Sequence, residues 1–232
     1  MSATTGAPCY GRSRALSRPR AALPLLAHLL CRVEGVADRF AITFDDGPSP
    51  LHTERILERL GRHDAYATFF QLGRRVARHP EITRRVSQAG HEIGLHDQHH
   101  LPPILLPRAL RQSELRACEA AVRAAGVEPA RWYRPPFGVM SAAQAADVRA
   151  WGYTPVLGDV FPRDPQRPGI ARIVEWTLAC LRPGSILILH DGSGYGDFDR
   201  SQTVDAADRI LEHAARHGLR AVSVGELVGP RS

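Results

Sequence analysis

Short apolar runs alternate with longer amphipathic segments along most of this chain, and glycine or proline punctuates the changes between them. The apolar runs cover residues 40–44, 67–72, 92–95, 132–134, 154–157, 185–189 and 220–224. Each is too short for a stable helix and is bounded by Gly, Pro or charged turns, so each is expected to be a strand. The segments between them read as helices over 52–62, 80–89, 107–125, 141–151, 170–181 and 201–217. In the first, Ile56, Leu57 and Leu60 fall on one face. Pro80 sits at a first-turn position, where its missing N–H costs nothing, and Gly90, Gly126 and Gly218 follow helix ends. Ser201 is expected to cap the last helix.

Regular strand–helix alternation demands a parallel α/β architecture, because parallel neighbours need a crossover and a helix is the usual one. The pattern alone does not separate a (β/α) barrel from an open doubly wound sheet. The first strand lacks a following Gly-x-Gly-x-x-Gly turn, so nothing favours a dinucleotide fold. At 232 residues the chain fits one well-buried domain. No apolar run approaches the ~20 residues of a membrane span.

All 30 basic side chains are arginines; lysine and asparagine are absent. Schiff-base chemistry, a P-loop lysine and N-glycosylation are thereby excluded. The net charge of +6 is concentrated near the start, where Arg12, Arg14, Arg18, Arg20 and Arg32 occur with no acid in residues 1–33. The remainder is close to balanced and shows no basic stripe interleaved with aromatics, so a nucleic-acid partner is not expected. His28 interrupts the apolar stretch 21–31, and no clean small-x-small site follows. Residues 1–35 are therefore expected to form a basic arm or short amphipathic helix rather than a signal peptide, with 36–228 as the folded domain. Cys9, Cys31, Cys118 and Cys180 lack metal-ligand spacing, and a Cys118–Cys180 disulfide stays open.

The unusual polar residues gather just after the strands. Asp45 and Asp46 follow the first, His96, His99 and His100 the third, Arg134 the fourth, Asp159 and Asp164 the fifth, and His190 and Asp191 the sixth. In a parallel barrel these strand ends share one face, so residues distant in sequence converge there. Adjacent carboxylates at a strand end repel unless a cation compensates them. One carboxylate and two imidazoles make a three-ligand site with open positions, suited to zinc, non-haem iron or another divalent metal. The second carboxylate could then act as base on water. An arginine such as Arg134 holds a carboxylate in fixed orientation, and a rim histidine such as His190 suits a general acid. Taken singly, each has an ordinary reading: a capping turn, a polar loop, a surface arginine, a structural histidine.

The ordered set does more. Thr43-Phe44-Asp45-Asp46-Gly47-Pro48, the His96 and His100 pair, Arg134-Pro135-Pro136-Phe137-Gly138 and Leu187-Ile188-Leu189-His190-Asp191 together resemble the polysaccharide deacetylase, or NodB-homology, family of carbohydrate esterases, family 4. Ala67-Thr68-Phe69-Phe70 and Gly90-His91-Glu92-Ile93-Gly94 match as well, and the resemblance spans roughly 36–228.

The resemblance implies a distorted (β/α) barrel of about seven parallel strands and one divalent metal, usually zinc, held by Asp46, His96 and His100. It implies Asp45 as catalytic base oriented by Arg134, and His190 as general acid. The oxyanion would lie near the backbone of Pro136 and Phe137. The activity implied is hydrolysis of N-acetyl groups on an N-acetylglucosamine polymer or oligomer such as chitin or peptidoglycan. An O-acetyl esterase of xylan, a small-amide deacylase and a non-catalytic carbohydrate-binding homologue are the rival readings. Three positions depart from the family pattern. Asp97 replaces the usual Ser or Thr after the first histidine, and His99 adjoins His100. The usual Asp-Trp of the fourth motif is missing, which leaves Asp164 as the carboxylate chosen to tune His190.

Overall fold

The computed structural model describes residues 9–10 and 29–229. Within them lie nine strands: β1 (Cys9–Tyr10), β2 (Arg39–Asp45), β3 (Ala67–Gln71), β4 (Glu92–Leu95), β5 (Trp132–Tyr133), β6 (Thr154–Pro155), β7 (Val160–Phe161), β8 (Ile186–His190) and β9 (Arg220–Val222). Every ladder between them is parallel, in the order β1-β7-β8-β2-β3-β4-β5-β6. The strand β9 joins at β2, pairing Arg39 to Arg220 and Ala41 to Val222. Ala41 also pairs with Ile186, so β9 lies on the edge of β2 opposite β8, below β3. All seven expected strands are present, and the sheet curls into a distorted (β/α) half-barrel. The two-residue pieces β1 and β7 carry too little apolar pattern to be read from sequence.

The helices are α1 (Thr53–Arg62), α2 (Gly73–Arg78), α3 (Pro80–Gln88), α4 (Arg108–Ala124), α5 (Ala142–Ala150), α6 (Ile170–Leu178), α7 (Ser201–Arg216) and α8 (Val224–Val228). Six correspond to the expected helices; α2 and α8 are too short to show a period. Ser201 does not cap α7: it is the first helical residue, and its N–H is accepted by Asp199 Oδ1 at 2.9 Å. The run 220–224 splits because Ser223 caps α8 through Glu226 N–H.

Strand β2 is buried along almost its whole length, as a strand covered on both faces must be. Its period of two divides the work. Phe40, Ile42 and Phe44 face one apolar cluster together with Ile56, Leu60 and Phe69. Ala41 faces the other, with Phe70, Trp132, Val156 and Ile186. On that inner face Ala41, Thr43 and Asp45 climb toward the carboxyl end, register-paired with Ile186, Ile188 and His190 of β8. Apolar residues thus fill the bottom of the half-barrel and functional ones crown it.

The expected arm helix over residues 21–31 lies outside the described residues except for its last part, which is extended. Leu30 bridges Val156 beyond β6, and Arg32 bridges Ser185 before β8. Leu29, Cys31 and Val33 are buried, so residues 29–33 pack against the open side of the sheet as part of the domain. Cys31 and Cys118 are free thiols, which rules out the Cys118–Cys180 disulfide. Among the described residues no helix is long and apolar enough to cross a membrane.

Candidate active site

The carboxyl ends of β2, β4, β5 and β8 open into a cavity of about 430 Å³. Asp45, Asp46, His96, His100, Arg134, Phe137 and His190 all line it. Asp164 does not; it is buried behind His190. Pro136 is also buried outside the lining, with Pro135, Phe137 and Gly138 forming that wall instead.

Asp46, His96 and His100 form the described cluster able to hold a metal ion, their ligand atoms all within 4.8 Å of one another. Asp46 Oδ1 lies 3.5 Å from His96 Nε2 and 3.2 Å from His100 Nε2, yet makes no well-formed hydrogen bond although it is buried. Donor atoms that crowd a common point without bonding one another fit a cation there, and a carboxylate with two imidazoles suits a divalent metal. His96 Nδ1–H donates to Arg134 O at 2.7 Å, which leaves Nε2 with its lone pair toward the cluster. Burial, with His96 alongside, pushes His100 down to about 4, so its ring is neutral and able to ligate. Burial alone would raise Asp46, but the neighbouring imidazoles of His96, His100 and His190 hold it far below the usual carboxylate range.

His99, the neighbouring candidate, turns outward. Its side chain is 56% exposed, and its Nδ1 and backbone N–H both meet Glu114 at 2.9 Å. The backbone explains the separation. Asp46, Asp97, His100 and Phe137 have φ of 71°, 63°, 58° and 62°. Non-glycine residues hold this left-handed conformation only where the surroundings over-determine it, and such strain collects at functional sites.

Asp45 is held from below. Arg134 Nη1 donates to Asp45 Oδ1 and to Thr43 Oγ1, both at 2.6 Å, while its guanidinium lies 4.1 Å from the Phe70 ring centroid. Thr43 in turn donates to Leu187 O at 2.7 Å. On the opposite side His190 Nδ1–H donates to Asp164 Oδ1 at 3.0 Å, and Asp164 Oδ2 accepts from His190 N–H and Thr203 Oγ1, each at 2.9 Å. Burial would lower His190, but the charge and hydrogen bond of Asp164 prevail and raise it to about 9. Asp159 plays no part in the cavity; it accepts from Ile186 N–H and Ser185 Oγ below β8. Asp97 lies behind the cluster, where it accepts from Tyr133 Oη at 2.9 Å, and burial raises it to about 7.

Several lining residues were not singled out from sequence. Leu157, Ile188 and Phe161 form an apolar wall, with Phe161 5.9 Å from His190 between ring centroids. Tyr195 closes the side beside His100. The signal for the last was present: a Gly-Ser-Gly-Tyr-Gly stretch directly after His190-Asp191.

Fold and cavity together define a parallel (β/α) half-barrel with a carboxylate–bis-imidazole site flanked by an arginine-held carboxylate and a carboxylate-held imidazole. Residues 33–156 match the family model described as polysaccharide deacetylase. The chain is 37% identical over 190 residues to a peptidoglycan-N-acetylglucosamine deacetylase of Bacillus cereus, covering 81% of this chain and 87% of that one. It is 36% identical over 186 residues to a chitooligosaccharide deacetylase of a Bradyrhizobium species, covering 77% and 85%. The solved family 4 carbohydrate esterase from Streptomyces lividans superposes with a TM-score of 0.73 at 28% identity, covering 81% of this chain and 93% of that one. This chain belongs to the polysaccharide deacetylase family, and so to the deacetylase hydrolases.

Proposed function

We propose that this protein hydrolyses N-acetyl groups on an N-acetylglucosamine-containing polymer or oligomer. The observation that carries the reading is the placement of the Asp46, His96 and His100 cluster between two opposed proton-handling pairs in one cavity. A divalent cation held by those three residues, zinc in the first place, would polarise the acetyl carbonyl and acidify a water.

The chain's own groups supply the rest. Asp45, fixed by Arg134, takes the proton as water attacks the acetyl carbon. The backbone N–H at Phe137 offers a hydrogen bond to the oxygen on which negative charge develops, and Pro136 has no N–H to give. Asp164 raises His190 and so favours its protonated form, which can hand a proton to the departing amine. Leu157 and Ile188 give the acetyl methyl an apolar wall, and Phe161 stands beside His190.

The relatives named for peptidoglycan and chitooligosaccharides favour an N-acetylated sugar as substrate. The test is acetate release from an N-acetylglucosamine tetramer, peptidoglycan and acetylated xylan, before and after chelation and after re-addition of zinc. Release from the first two, lost on chelation and restored by zinc, is expected. Release from xylan alone would make the protein an O-acetyl esterase. No release from any of them by metal-loaded protein would leave only a carbohydrate-binding role.

A further inference from the structure

Two aromatic side chains stand at the cavity mouth with half or more of their surface in water: Phe137 is 52% exposed and Tyr195 61%. Both line the cavity, and neither uses the other as a stacking partner, since their centroids are 6.4 Å apart at 43°. The His100 ring sits between their inner edges, 4.7 Å from Phe137 and edge-on to Tyr195 at 5.7 Å. An exposed aromatic face beside a binding cavity is unspent apolar surface, and such surface marks contact with a ligand or partner.

The segment bearing Tyr195 is held with unusual care for a glycine-rich loop. Ser193 Oγ accepts from Tyr195 N–H at 3.1 Å and donates to Tyr195 O at 3.3 Å, so the tyrosine's backbone is fixed on both sides. Arg75 Nε donates to Ser193 O at 3.1 Å, and its Nη2 donates to Gly196 O and to Asp197 Oδ1. Arg74 Nη2 donates to Gly194 O. Two adjacent arginines of α2 thus clamp the loop over the site from below. Gly194 lets the loop approach: a Cβ there would stand 2.3 Å from His100 Nδ1. A side chain ordered before binding loses little entropy on contact, which is the condition for it to contribute affinity.

We infer that Tyr195, with Phe137, forms a stacking platform for a pyranose ring of the substrate chain next to the ring being deacetylated. The inference deepens the proposed function and rests on it. A sugar with equatorial hydroxyls presents flat C–H faces, which match an exposed aromatic face, while its edge hydroxyls remain in water. The site therefore takes oligomers in preference to single sugars, and the preference resides in the ring of Tyr195 rather than in its hydroxyl.

The test measures tetramer affinity by calorimetry and acetate release for metal-loaded wild-type protein, Tyr195→Ala, Tyr195→Phe and Phe198→Ala. Phe198 is 54% exposed on the same loop but does not line the cavity. Tyr195→Ala is expected to bind N-acetylglucosamine tetramer roughly tenfold more weakly, the loss that forfeiting part of an aromatic contact brings. The ratio of its kcat/KM on tetramer to that on 4-nitrophenyl acetate should fall by a similar factor. Tyr195→Phe should retain wild-type affinity, as should Phe198→Ala. Equal affinity in wild type and Tyr195→Ala would overturn the inference whatever the rates. A loss shared by Tyr195→Phe would also overturn it, by transferring the contact to the hydroxyl. Wild-type protein that binds tetramer in this Tyr195-dependent way but releases no acetate would support the platform while refuting the deacetylase reading.

Discussion

Asp45 and His190 are register partners in adjacent parallel strands, β2 and β8, and Asp191 N–H donates to Asp45 O at 3.2 Å. The proposed base and acid therefore stand on one hydrogen-bonded ladder, in the interior of a sheet where neither strand can slip without turning its core residues outward. A rigid ladder is a better support for two proton-transfer groups than two loops would be. It also makes their roles separable by substitution.

Asp45→Asn keeps the shape of the side chain and removes its basicity. The cation should remain bound while acetate release falls by about 10²–10⁴-fold, the range typical of a general base. Asp46→Ala removes the only carboxylate of the cluster, so metal and activity should disappear together. Metal content by elemental analysis and acetate release, measured on each variant, decide the matter. Near-normal turnover in metal-loaded Asp45→Asn would exclude it as base.

The two adjacent histidines should behave oppositely. His100 faces Asp46 at 3.2 Å, whereas the outward-turned His99 pairs with the buried Glu114. His100→Ala should lose metal, and His99→Ala should retain it at a stability cost of about 1–3 kcal/mol, because Glu114 is buried and loses one of its hydrogen-bond partners. Metal titration followed by thermal melting measures both. The reverse pattern would reassign the ligand.

Asp164 should govern the alkaline limit of the pH profile. His190 is raised from 6.5 to about 9 in the fold, so its proton is present at neutral pH and is lost as pH rises toward that value. Asp164→Asn removes the opposing charge, and the alkaline limb should move down by roughly 1–3 pH units. A bound dication lowers both proteins' limbs, so the difference between them is the reading. Stability follows the same sign. The His190–Asp164 contribution is fully present below 6.5 and fades as pH climbs to about 9. The gap in melting temperature between wild type and Asp164→Asn should therefore be larger at pH 6 than at pH 10.

Gly194→Ala should weaken the metal site without unfolding the domain. The new methyl would meet the His100 ring at 2.3 Å, so either the ring or the clamped loop must shift. Weaker metal affinity with a near-normal melting temperature of the apoprotein is expected. Unchanged affinity would show that the loop yields freely and that the arginine clamp does not fix it.

Deleting residues 1–33 should cost stability rather than chemistry. It removes buried Leu29, Cys31 and Val33 together with the bridges to Val156 and Ser185. Buried aliphatic side chains contribute about 1.5–3 kcal/mol each. The melting temperature should drop by about 2–4 °C for every kcal/mol lost. Acetate release per folded molecule should stay within a few-fold, because none of the described residues in the deleted part lines the cavity. A folded but inactive truncation would place catalytic groups in the arm.

The sequence by itself determined the strands, their parallel sense and the residues at their carboxyl ends. These follow from local patterns: a buried parallel strand must be a continuous apolar run, and Asp45, His96, Arg134 and His190 stand where such runs stop. Only the tertiary structure decided what depends on long-range proximity. It showed how His100, the histidine the resemblance implied, differs from His99: with a φ of 58° at His100, that ring faces Asp46 and the other meets Glu114. It brought Asp164 to His190 across 26 residues, moved Asp159 into a structural role, and drew residues 29–33 into the sheet. It also set Tyr195 beside His100, through carbonyls accepting from arginines some 120 residues earlier. Hydrogen bonds to backbone carbonyls are indifferent to side-chain identity, so they leave no trace in the residue pattern. That is why the strand ends were legible, and the loop that closes the site over them was not.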